Sequence, residues 1–83
     1  MKTIYLLWRT TDDDSCVMRA YADLDTLRRK MRSLAKEASQ EGCTVTYNEK
    51  CDWYNIRINF SDDTYMYHYT SIKFNETRQR KLK

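Results

Sequence analysis

Glycine occurs once in these 83 residues, at Gly42, and proline not at all. Loops in which bare backbone must close on a phosphate, the Walker and dinucleotide-binding types among them, need glycines at fixed spacing and are excluded. Nucleotide-hydrolysing chemistry is set aside with them. Cys16, Cys43 and Cys51 are odd in number and show no C-x-x-C spacing. Neither a disulfide framework nor a zinc site is implied, and the expectation is reduced, buried thiols. Long apolar runs are missing too: Ile4-Tyr5-Leu6-Leu7-Trp8 is too short for a signal-peptide core and far too short to span a bilayer. This predicts a cytoplasmic protein without a membrane partner.

Histidine also occurs once, as His68, in an alternating stretch where it faces Met66 and Thr70. A lone strand histidine is far more often a packing or hydrogen-bonding residue than a general base, and no local context activates any of the three thiols. The acidic turns contain no calcium loop or comparable ligand spacing. The expectation is a chain that is not an enzyme and holds no metal or cofactor. A metal-dependent or thiol enzyme is the least favoured of three readings.

What is present is charge and aromatic surface. Charged residues make up 33% of the chain, hydrophobic ones 41% and aromatics 13%, with seven tyrosines. Mean hydropathy is −0.89. A chain with so many rings can fold, but its surface must be very polar. Independent domains usually need about 100 residues each, so one domain is predicted over residues 1–74, followed by a polar, basic and flexible tail over 75–83. The net charge of +3 permits a nucleic-acid partner without demanding one.

Alternation of apolar and polar residues predicts a strand over Lys2–Thr10, with Ile4, Leu6 and Trp8 on one face and Tyr5 and Leu7 on the other. Thr11–Ser15 supplies aspartates that can hydrogen-bond local backbone and so turn the chain without glycine. A second strand follows over Cys16–Tyr21. From Leu24 to Glu41 the period becomes helical: Leu24, Leu27, Met31, Leu34, Ala35 and Ala38 form one stripe, with Asp23 placed to cap the start and Gly42 to stop the end. Strands are then predicted over Cys43–Tyr47, Trp53–Phe60 and Thr64–Phe74, separated by turns at Asn48–Lys50 and Ser61–Asp63. The fold class is α+β: ββαβββ, a single antiparallel five-stranded sheet in the order 2-1-3-4-5, with one helix packed on one face. The other face is left without a covering layer.

Strand directions bring the first and last hairpin turns to one end of the sheet with the C-terminal end of the helix. Asp12, Asp13, Asp14, Asp62 and Asp63, joined by Glu37 and Glu41, would collect there, while Lys2, Lys50, Arg78, Arg80, Lys81 and Lys83 lie at or beyond the opposite end. Such bipolar fields steer charged partners over about 8 Å at physiological salt. On the helix, Arg28, Arg29, Arg32 and Lys36 cluster away from the apolar stripe and could meet phosphates, although Lys30, Glu37 and Glu41 make the other flank mixed. Alternation also puts Trp53 and Arg57 opposite the apolar face of the fourth strand, and Tyr65, Tyr67 and Tyr69 together on one face of the fifth. If the two sets share the uncovered face, they form an aromatic, Arg-bearing platform suited to a protein partner or to unstacked bases. A homodimer through that face would cover it without a foreign partner.

Ile4-Tyr5-Leu6-Leu7-Trp8, the acidic turn, a second strand ending Arg19-Ala20-Tyr21 and a helix opening Asp23-Leu24-Asp25-Thr26-Leu27 resemble small proteins of phages and their bacterial hosts. The whole plan, short, poor in glycine and proline and rich in tyrosine and asparagine around one sheet and one helix, is similar to that of several anti-CRISPR and other anti-defence proteins. The resemblance implies non-catalytic inhibition, in which a small rigid surface occupies a site on a larger nucleic-acid-handling host complex. It transfers no site residues. The partner-binding residues expected from the layout are the five aspartates with Trp53, Arg57, Tyr65, Tyr67 and Tyr69. The alternative is a small RNA- or single-strand-binding domain using Arg28, Arg29, Arg32, Lys36, Arg78 and Arg80.

Overall fold

In the computed structural model, which describes residues 2–59 and 61–74, the chain runs β1 (Lys2–Thr11), β2 (Ser15–Tyr21), α1 (Leu24–Gln40), β3 (Thr44–Asn48), β4 (Trp53–Arg57) and β5 (Thr64–Phe74). This is the expected ββαβββ succession, α+β with one antiparallel five-stranded sheet and one helix. The fourth strand ends three residues earlier than predicted, and Ile58 sits outside it, 39% exposed. Phe60 and the expected tail at 75–83, with Arg78 and Arg80, lie outside the described residues.

The strand order is β2-β1-β5-β4-β3, not 2-1-3-4-5. β1 and β5 are the longest strands, and they pair antiparallel from Lys2↔Phe74 to Thr11↔Tyr65 without interruption. With β5 at an edge, most of its main-chain donors and acceptors would face solvent, because β4 pairs only with the segment Thr64–Tyr67. Placing β5 in the middle satisfies both of its sides at one end. The crossover then has to reach from one edge strand, β2, to the other, β3. A helix of 17 residues is about 25 Å long, enough to cross five strands spaced about 4.8 Å apart.

The turns do without glycine by borrowing side chains. Asp14 Oδ1 accepts from the Ser15 amide at 2.8 Å, and Thr11 Oγ1 accepts from the Asp14 amide at 3.2 Å, which closes the β1–β2 turn. In the β3–β4 turn, Asn48 Oδ1 accepts from the amides of Lys50 and Cys51. Asp52 takes the left-handed conformation there, φ 55°. Asp23 caps α1 as expected, its carboxylate accepting from the Thr26 amide at 2.9 Å and the Thr26 hydroxyl at 2.8 Å.

The helix stripe packs on the side of the sheet that carries Tyr5, Leu7, Ile56 and the three β5 tyrosines. Leu7, Leu27, Met31, Ala35, Ala38, Ile56 and Tyr67 are buried, with Tyr54, Tyr65 and Tyr69 against them. Tyr65, Tyr67 and Tyr69 therefore do not share a face with Trp53 and Arg57: they lie beneath the helix, and the expected common platform does not form. Ala35 and Ala38 share the buried cluster with Tyr67, and their small side chains leave room for large rings under the helix. The thiols correct a further expectation: Cys43 is half-buried, but Cys16 on edge strand β2 and Cys51 in the β3–β4 turn are exposed.

Candidate functional site

Both acidic turns lie at one end of the sheet, since the β1–β5 register sets Thr11 beside Tyr65 and so the β1–β2 turn beside the β4–β5 connection. Asp12, Asp13, Asp14, Asp62 and Asp63 are all exposed. A cavity of about 250 Å³ opens between the turns, with Asp12, Asp13 and Asp63 at its wall, Tyr65 at its side and the Arg9 guanidinium 4.6 Å above the Tyr65 ring. Arg9 and Tyr65 belong to the helix side of the sheet. Arg57 approaches Asp62 at 3.5 Å, but the two side chains are 62% and 103% exposed. Pairs of this kind contribute about 0–1 kcal/mol and leave the carboxylate's field largely intact.

The helix adds to this end rather than offsetting it. Its C-cap is Glu41 and its last turn holds no basic residue. A helix C-terminus carries about half a negative charge and is stabilised by cations, so Glu37 and Glu41 there work against helix stability. Gly42, at φ +94°, then turns the chain into β3 within reach of Asn59, which follows β4 at the same end.

The β3–β4 turn, at the end of those two strands away from the acidic turns, holds a polar cluster that the sequence did not announce. Asp52 Oδ1 accepts from Tyr47 Oη and Oδ2 from Tyr69 Oη, each at 2.7 Å, while Arg28 Nε lies 2.9 Å from Oδ2. Partial burial pushes the Asp52 carboxyl up, but the hydrogen bonds from Tyr47 and Tyr69 and the charge of Arg28 together hold it below its ordinary value. Tyr69 is pushed up to about 12 by burial and by its bond to Asp52. The cluster ties the first turns of α1 to the β3–β4 turn and to β5. It commits Arg28, one of the cations expected to face phosphates, to an internal partner; Arg29, Arg32 and Lys36 remain exposed.

On the helix-free face, Trp8 and His68 are register partners with parallel rings, 6° apart in plane and 6.2 Å between centroids. Trp8 Nε1 donates to Thr70 Oγ1 at 2.8 Å, and Thr10 Oγ1 lies 2.7 Å from His68 Nε2. Burial holds the His68 imidazole below its ordinary value, which keeps it neutral at pH 7. His68 is thus the packing and hydrogen-bonding residue the sequence suggested. Ile4, Leu6 and Ile72 continue the face on one side of this pair, and Trp53 lies on it by alternation with the core-facing Tyr54.

Of the expected site residues, the structure brings the five aspartates together, places Trp53 and Arg57 on the helix-free face and turns Tyr65, Tyr67 and Tyr69 toward the helix. Arg9, which roofs Tyr65, and Asp52 were missed: a single arginine in a strand and a single aspartate in a turn carry no periodic signal. Among the described residues no group of three or more histidine, cysteine, aspartate or glutamate side chains is placed to hold a metal ion, and no helix is long and apolar enough to cross a membrane. Compared with protein-family models, with curated proteins and with solved structures, the chain finds no match in any of the three.

Proposed function

We propose that this chain is a small non-catalytic protein-binding module of the phage or mobile-element inhibitor type, acting in the host cytoplasm. Its acidic end occupies a basic surface on a nucleic-acid-handling host complex and so occludes it. The observation that carries this reading is the concentration of negative charge at one end: two aspartate-rich turns from different hairpins and a helix C-terminus bearing Glu37 and Glu41. Helix stability would favour cations at that terminus, and a local choice made against stability marks a place where something other than folding is selected. A groove built to take phosphates meets here a set of carboxylates held on short, hydrogen-bonded turns, with an aromatic ring beside them.

The test is capture of partner from nuclease-treated host lysate by the wild-type chain and by the triple variant Asp12→Asn/Asp13→Asn/Asp63→Asn, followed by affinity measurement on the captured complex. The variant is expected to lose about tenfold or more in affinity. Equal capture by both chains would remove the acidic end from the function. Loss of all capture on nuclease treatment, with a steep salt dependence and sensitivity to Arg29→Ala/Arg32→Ala, would instead favour the nucleic-acid-binding reading.

A further inference from the structure

The helix covers one side of the sheet, and the other carries a patch that is symmetric in layout and unsatisfied in chemistry. Across the central pair β1 and β5, this face presents three successive rows: Ile4 beside Ile72, Leu6 beside Thr70, and Trp8 beside His68. Ile72 is 49% exposed and Val17, beside Trp8 on β2, is 44% exposed. The aromatic row lies toward the acidic end and the aliphatic row toward the end where β1 begins at Lys2 and β5 runs out past Lys73.

We propose that a second copy of this chain covers the helix-free face, packed across a two-fold axis that runs across the strands near Leu6 and Thr70. Rotation about that axis places the Trp8 and His68 rings of one copy on Ile4 and Ile72 of the other, so that large side chains meet smaller ones and the patch is its own complement, as an isologous contact requires. The same rotation sets the aspartate turns of each copy over the lysine end of its partner. An axis along the strands would instead stack aromatic row on aromatic row and carboxylates on carboxylates. Charge therefore selects between the two ways of closing the pair. Five strands at about 4.8 Å spacing and about 3.3 Å rise give a face of roughly 600–700 Å² per copy, close to the roughly 800 Å² per partner of a standard stable interface. Arg9 and Tyr65 lie on the helix side and stay uncovered in the dimer, whereas Asp12 and Asp13 serve both contacts; the inference rests on the helix-free face and does not depend on the proposed function.

The test is sedimentation equilibrium of the full chain over about 1–100 µM. A dimer is expected for the wild type. Ile72→Glu and Val17→Glu, at half-exposed positions that leave the monomer's far-UV circular dichroism unchanged, are each expected to raise the dissociation constant more than about tenfold by forcing a charge into the contact. Asp12→Asn/Asp13→Asn is expected to weaken self-association and flatten its salt dependence. A wild type that stays monomeric throughout, a dimer indifferent to Ile72→Glu and Val17→Glu, or a dimer tightened by Asp12→Asn/Asp13→Asn would each overturn the proposal. Partner capture by the Ile72→Glu monomer separates the two ideas, since loss of dimerisation with retained capture leaves the acidic-end function standing.

Discussion

At the scale of single residues, Asp52 is the position on which the most bonds converge. It accepts from two phenols and pairs with Arg28 while holding a left-handed backbone conformation. Asp52→Ala would leave the half-buried Tyr69 hydroxyl without its acceptor, at a cost of roughly 1–3 kcal/mol, to be read from urea unfolding. The cluster also shapes both arms of the stability–pH curve. Because the folded carboxyl of Asp52 lies below its ordinary value of 3.8, its stabilisation is present above that value and is lost as pH falls through the lower folded one. Tyr69 has the opposite sign: raised from 10 to about 12 in the fold, its phenol stabilises below pH 10 and loses that contribution as pH climbs toward 12. Tyr69→Phe is therefore expected to flatten the alkaline arm, and Asp52→Asn to flatten part of the acid one, with the Asp23 cap supplying another part. An alkaline arm of unchanged slope in Tyr69→Phe would show that another group titrates there.

At the scale of elements, the helix is where stability and function pull apart. Replacing Glu41 by Lys puts a cation where the helix dipole favours one and is expected to raise stability by about 0.3–1 kcal/mol while weakening partner capture. A variant that is more stable and binds equally well would separate the helix terminus from the acidic surface. The junction beyond it is constrained twice. Gly42 needs its positive φ, and an added Cβ would come within 2.9 Å of Asn59 Nδ2. Gly42→Ala should cost about 1–3 kcal/mol, of which Asn59→Ala in the same chain relieves only the steric share, because the backbone strain remains. Under the helix, Ile56 has no exposed surface, and Ile56→Ala should cost about 2–5 kcal/mol in the same unfolding experiment.

At the scale of the whole molecule, one layer of helix on one layer of sheet leaves a molecule with two unlike faces and two unlike ends. Asp12, Asp13 and Asp63 are exposed, whereas the Asp14 carboxylate helps close the β1–β2 turn, so Asp12→Asn/Asp13→Asn/Asp63→Asn is expected to leave the thermal midpoint of the isolated monomer near its wild-type value while weakening partner capture. The helix-free face makes a different demand. If a second copy covers it, the midpoint rises with protein concentration, as mass action requires, and Ile72→Glu removes that dependence.

The alternation in β1 and β5, the helical stripe from Leu24 to Ala38, the Asp23 cap and the turn at Thr11–Asp14 are local properties, and the chain's order of residues determined them. The gathering of the aspartate turns was equally legible, because in an antiparallel sheet the direction of each strand follows from connectivity and holds for either strand order. Tertiary structure alone decided the rest. Both faces of β1 and of β5 carry large side chains, so the alternation by itself is neutral between them, and the packing of the helix stripe on Leu7, Ile56 and Tyr67 fixes which face is covered. Strand order was settled in the same way, by the need of the two longest strands to satisfy each other's main-chain hydrogen bonds along their full length. No local pattern encodes that pairing, since it depends on comparing elements more than fifty residues apart.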